Sequence, residues 1–206
     1  NCSIGGVHLN AASGLVTHSR IWGCTATGSG TKYYAGGVLL SKGTLADSLV
    51  TGNSCGGLGG GVYMEGGTIR NSLVAFNTSG TGAGIYIEKG TPAVQNCTVA
   101  KNAASVSADG IYMKAGSVVN TAVDGEEGGS IVQSAGSVTY SCSMSLAADA
   151  VGTHNVHALP GFRNADIGDF TLVGASPCVD AGCELGWHEG GADVSGETPR
   201  VIDGKG

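Results

Sequence analysis

The chain has 206 residues, with 38 glycines, 4 prolines, 13% charged residues and a formal net charge of −6. That balance leaves no basic surface to hold nucleic acid or an anionic bilayer, and no apolar run approaches the roughly 20 residues of a membrane-spanning helix. The length suffices for one domain, and glycine this abundant marks either disorder or, where it is patterned, a repeat.

The first recurring element is GGVHLN (5–10), which returns as GGVLLS (36–41), GGVYME (60–65), AGIYIE (83–88) and DGIYMK (109–114). A second element, LADSLVTGN (45–53), returns as IRNSLVAFN (69–77), VQNCTVAKN (94–102) and VVNTAV (118–123). Gly37, Gly61, Gly84 and Gly110 align at a period of about 24 residues, the mark of a solenoid. Val62 and Met64 alternate at period two, as do Ile85 and Ile87, so these segments are strands with one buried face, which disfavours helical and leucine-rich repeats. The predicted buried series in the second element is Ile69, Ser72 and Val74, and the skipped beat marks a bend between two short strands. Two or three short strands per coil, with coils pairing about 4.8 Å apart, describe an all-β, right-handed, single-stranded parallel β-helix. Its glycines are expected at corners that need positive φ.

Three columns run down the predicted stack. Asp47, Asn71, Asn96 and Asn120 share the bend, where side-chain amides can bond their copies above and below. Asn53, Asn77 and Asn102 end the coil. Ser48, Ser72, Cys97 and Thr121 form a small, inward-facing column.

Taken in order, residues 1–23 hold a partial coil in which Val16, Ser19 and Ile21 match the buried columns. Asn1-Cys2-Ser3-Ile4 reads like Asn96-Cys97-Thr98-Val99, the end of a coil. The chain is therefore expected to be a mature piece or a section of a longer protein, and an uncovered edge there would permit end-to-end self-association. Residues 24–35 are an insertion whose Lys32, Tyr33 and Tyr34 either reach outward for contact or fold back on the coil. Regular coils run to about residue 123 and a shortened coil follows, giving a solenoid over 1–146. The remainder, 147–206, is an irregular segment expected to cover the last coil.

Seven cysteines leave at least one unpaired. Cys2 and Cys97 are expected as buried thiols. Cys24 with Cys55, and Cys178 with Cys183, are the disulfide candidates.

The strand GG-apolar-apolar, preceded by an apolar-x-x-Asn step at Val50–Asn53, Val74–Asn77 and Val99–Asn102, resembles the GGAI and FxxN repeats of polymorphic outer-membrane proteins, with valine in place of phenylalanine. The ending resembles that of secreted β-helix proteins of the pectate-lyase-like superfamily that carry a variable sorting anchor. The residues concerned are Pro160-Gly161-Phe162, Asp169-Phe170-Thr171-Leu172, Ser176-Pro177, Val179-Asp180-Ala181-Gly182, Asp193, Gly196, Arg200 and Asp203. The resemblance implies a β-helix and export, to a secreted or cell-surface location, and it implies no particular reaction.

Two functions are compatible with the residues. The first is a non-catalytic exported surface or matrix module for adhesion or glycan contact, with a polysaccharide or a cell-surface glycan as partner. The alternative is a polysaccharide lyase or glycoside hydrolase, or part of one. Among the repeat acids Asp47, Glu65, Glu88, Asp109, Asp124, Glu126 and Glu127, only Glu65 and Glu88 share a column at roughly the 5 Å spacing of a catalytic carboxylate pair. Arg70 and Lys101 are of the right type for a lyase base, but no acid cluster surrounds either. His154 and His157 read as a loop pair, and neither a cofactor nor a metal is expected. The outward column His8, Leu39, Tyr63, Tyr86 and Tyr112 places three tyrosines about 4.8 Å apart. This strip would bind sugar rings, pair strands across the sheet, or lie under the C-terminal segment.

Overall fold

A computed structural model describes residues 5–27, 34–125, 129–146, 153–183 and 185. The chain is an all-β parallel β-solenoid. One coil runs through Val38–Leu40, Thr44–Ala46, Leu49–Thr51 and Ser54–Cys55 before Val62–Met64 begins the next. Corresponding strands stack into four parallel sheets of six, six, five and four strands. The fourth sheet, including Thr78–Thr81 and Ala103–Ser107, adds a face to the two or three strands per coil expected from periodicity. It was hidden because residues such as Thr78 and Val106 are exposed and leave no apolar alternation to read.

The first three sheets face a common core. Val62, Met64, Ile69 and Val74 from one coil, with Ile85, Ile87, Val94 and Val99 from the next, are fully buried. Register keeps like over like, with Val62 opposite Ile85, Ile69 opposite Val94 and Val74 opposite Val99. The expected Ile69, Ser72, Val74 series is therefore the inward one. The bends between the second and third sheets hold residues in the left-handed region, which Asp47, Asn71, Asn96 and Asn120 (φ 48 to 51°) adopt with less strain than most side chains.

Corner glycines such as Gly43, Gly67, Gly90 and Gly116 do have positive φ, 72 to 85°, as expected, but the aligned glycines serve a different purpose. Gly61 and its copies do not have positive φ; a Cβ on Gly61 would lie 2.7 Å from the carbonyl oxygen of Gly84. Close approach of successive coils, not backbone handedness, excludes a side chain at this column.

Polar side chains close the corners. Asn53, Asn77 and Asn102 are buried; the Asn53 and Asn77 amides each donate to the side-chain oxygen one coil on, at 3.0 and 2.9 Å. The same oxygens accept the backbone N–H of Asn53 and Asn77, at 2.9 and 3.0 Å. In the small column, Ser48, Ser72, Cys97 and Thr121 each donate to the carbonyl two residues back.

After the last regular coil, Cys142 and Val156 prolong the third sheet through single parallel bridges. Phe162–Asn164 and Asp169–Leu172 then form an antiparallel hairpin around a short 3-10 turn. It lies along the solenoid flank, where Phe170 meets Phe76 at 5.9 Å and Asp166 pairs with Lys101 at 2.9 Å. The expectations for Asn1 to Ile4, Lys32, Tyr33, Glu126, Glu127, Asp193, Gly196, Arg200 and Asp203 fall outside the described residues.

Candidate functional site

Two surfaces carry the polar and aromatic residues of interest. The first is the outer face of the first sheet, where strand register superposes Tyr63, Tyr86 and Tyr112. Their rings are parallel within 3°, with centroids 5.3 and 5.1 Å apart. Tyr34 folds back over Tyr63 at 4.5 Å, so this part of the insertion packs on the coil. Tyr63 lies between Tyr34 and Tyr86, and Tyr86 between Tyr63 and Tyr112, so the faces of these two rings are spent within the stack and they are only 4% and 3% exposed. A sugar ring needs such a face to stack upon. Burial pushes both phenols above their ordinary pKa, with Glu88 adding to the effect. The described C-terminal residues pack on other parts of the solenoid, through Phe76, Lys101 and Asn120.

Beside the tyrosines runs the column of Ser41, Glu65, Glu88 and Lys114, joined in register by backbone hydrogen bonds from each residue to the preceding strand. Glu65 and Glu88 are thus neighbours along the stack, as expected. Each, however, has a basic partner: Lys89 lies 2.9 Å from Glu65 and Lys114 lies 3.1 Å from Glu88. The hydrogen bond from Lys89, assisted by Ser41, holds the Glu65 carboxyl below its usual range. Lys114 is held above its usual range by the Tyr86 hydroxyl and then by Glu88. A general acid needs the opposite displacement from Glu65, a raised pKa.

The second surface could not be foreseen from the repeat. A groove separates the third sheet from the C-terminal segment. One hollow of about 400 Å³ lies between Asn71, Leu73 and the hairpin residues Asp169 and Phe170, and a second of about 230 Å³ lies between Asn120, Tyr140 and Cys178. Both are lined by Asn96 and Thr98, so they lie side by side along this groove. Its wall is the bend column; amides and hydroxyls are set there among Leu73, Ala122, Val156, Leu172 and three cysteines, and most of the exposed lining is apolar. The acid in the lining, Asp169, is held below its ordinary pKa first by the Thr171 hydroxyl and then by the Thr171 N–H, which it accepts at 3.1 Å. Of the expected bend ladder, the Asn71 amide does donate to Asp47, but Asn120 is turned to the segment, with its oxygen 2.8 Å from the Cys183 N–H. The sequence signal for this groove was the excess of asparagine at a half-exposed bend.

The cysteines correct another expectation. Cys24, Cys55, Cys97, Cys142, Cys178 and Cys183 are all free thiols. Cys24 stacks on Asn53, whose side-chain oxygen accepts its N–H at 3.0 Å, while Cys55 pairs with Ala26 on the next face. Proximity in coil number had suggested a pairing that the register does not align. Cys178, in turn, faces Cys142 rather than Cys183. Cys97 is buried, as expected.

His154 stacks on Tyr140 at 4.6 Å, whereas His157 contacts the Leu146 carbonyl at 2.6 Å. The two rings serve different elements. No cluster of three or more His, Cys, Asp or Glu with metal-holding geometry occurs among the described residues, and no helix among them is long and apolar enough to cross a membrane. Comparison with protein-family models, curated proteins and solved structures finds no match for this chain.

Proposed function

We propose that the chain is a non-catalytic, exported surface or matrix module that contacts a neutral glycan along the groove between its third sheet and its C-terminal segment. The observation that carries this reading is the groove lining, in which the side-chain amides of Asn71 and Asn96 and the Thr98 hydroxyl lie beside Phe170 and Tyr140. Sugar hydroxyls exchange hydrogen bonds with such groups, and sugar C–H groups rest on apolar and aromatic surface. The pairing of Glu65 and Glu88 with lysines also favours contact over cleavage, the alternative being a polysaccharide lyase or hydrolase. Export and surface display rest on the resemblance of the repeats and of the Pro160 to Gly182 ending to pectate-lyase-like β-helix proteins.

The test is equilibrium binding to a panel of neutral and uronate-containing polysaccharides, with product analysis on the same samples. The expected result is saturable binding to a neutral glycan without new reducing ends or unsaturated products. The double variant Asn96→Ala, Thr98→Ala should weaken binding by about tenfold or more, as loss of one or two net hydrogen bonds requires. Chain cleavage, or no binding across the panel, would overturn the proposal.

A further inference from the structure

The groove ends at two sulfur atoms from regions far apart in the chain. Cys142 sits on the third sheet, buried, bridged to Ala122 on one side and Val156 on the other, with its thiol 3.4 Å from the Ala158 carbonyl. Cys178 belongs to the C-terminal segment, is half-buried, and lines the same hollow. The two side chains line the same hollow, close enough for each thiol to shift the titration of the other. Cys97 lines this hollow as well, but its thiol is directed to the Gln95 carbonyl.

The segment is pinned on both sides of Cys178. Upstream, the Ser176 hydroxyl donates to the Pro160 carbonyl and accepts the Cys178 N–H at 3.0 Å. Downstream, Cys183 is clamped to Asn120, giving its N–H to the side-chain oxygen at 2.8 Å and taking the amide N–H at 2.6 Å. These anchors hold Cys178 over Cys142 and commit the backbone of Cys183 elsewhere.

We propose that Cys142 and Cys178 are a disulfide-forming pair that staples the C-terminal segment to the solenoid and fixes the end of the groove. The oxidant is a low-molecular-weight disulfide, which reaches Cys178 from the hollow. Cys178 is the attacking sulfur, because it is the half-buried member of the pair and opens on the hollow while Cys142 is buried; its pKa is also lowered, first by Cys142 and then by Ser176. Its attack forms a mixed disulfide and expels one small thiolate. The Cys142 sulfur, giving up its proton, then attacks the Cys178 sulfur and expels the second. The two protons end on the two released thiolates; the pair is oxidised by two electrons and the oxidant is reduced by two. This inference does not depend on the glycan reading.

The experiment incubates the full chain with oxidised glutathione and maps peptides without reduction. One cross-link, between Cys142 and Cys178, is expected, with a higher melting temperature than the reduced protein, slower proteolytic release of residues 160–183, and reversal by a dithiol. Cys183→Ser should leave the cross-link intact and Cys178→Ser should abolish it, neither requiring a change at the buried Cys142. A Cys178–Cys183 linkage, or thiols that all stay free after prolonged oxidation, would overturn the assignment.

Discussion

The corner that holds Asn53, Asn77 and Asn102 buries its amides in a continuous hydrogen-bonded column, whereas the bend that holds Asn71, Asn96 and Asn120 leaves them half exposed along a groove. Both columns recur once per coil and look alike in the sequence. The corner asparagines replace backbone hydrogen bonds that the turn cannot make, bonding carbonyls such as Ile21 and Val50 in the coil before. The bend asparagines mainly satisfy a left-handed backbone, φ 49 to 51°, and their side chains bond different partners, Asn71 the Asp47 carboxylate and Asn120 the backbone of Cys183. Periodicity marks a constraint without saying whether packing or backbone conformation imposes it.

The largest effect should come from the buried corner. Asn77→Leu leaves the Asn53 N–H and the Val50 carbonyl without their partners in a dry interior, a loss of about 4 kcal/mol in denaturant unfolding. A cost below about 1 kcal/mol would mean that water enters this corner. Next is Tyr86→Ala, which tests whether an outward column can also be structural. Its ring is sandwiched between Tyr63 and Tyr112 and almost fully buried, so removal should cost about 3 kcal/mol while leaving glycan binding unchanged. Lost binding with full stability would return the tyrosines to the status of a sugar platform.

Asn71→Leu should cost only about 1 kcal/mol, and Asn71→Gly should be close to neutral, because glycine accepts the left-handed bend. If Asn71→Gly proved as damaging as Asn77→Leu, the contrast between the two columns would fail. The smallest effect belongs to the exposed charge column. The folded Glu65 pKa is depressed below its ordinary 4.5, chiefly by Lys89. Its contribution is therefore present above the ordinary carboxylate pKa and lost as pH falls through the lower folded value. Glu65→Gln should change the melting temperature by about 1 °C at neutral pH and by less in acid, since solvent screens such a pair. An effect that grows as pH falls would contradict the ion pair.

Much of the fold was legible before any coordinate. The alternation Val62-Tyr63-Met64 marked inward and outward residues, and the Ser48, Ser72, Cys97, Thr121 column was correctly placed inside. The fourth sheet was not legible, because its short strands are largely solvated and carry no apolar rhythm. The groove was not legible either: its floor, at Leu73, Thr98 and Ala122, varies in type, and its other wall comes from a segment without a repeat.

By itself, the sequence determined the solenoid, its coil length and the register of its columns, because each residue pairs with a counterpart at a nearly constant separation and any misfit would recur in every coil. Tertiary structure alone decided what lies against the coil. Whether Tyr63 is covered by Tyr34, which cysteine Cys178 meets and whether Asn120 bonds its own column or Cys183 all depend on non-repeating segments. Those contacts have no period, and their energy arises only when distant parts of the chain are brought together.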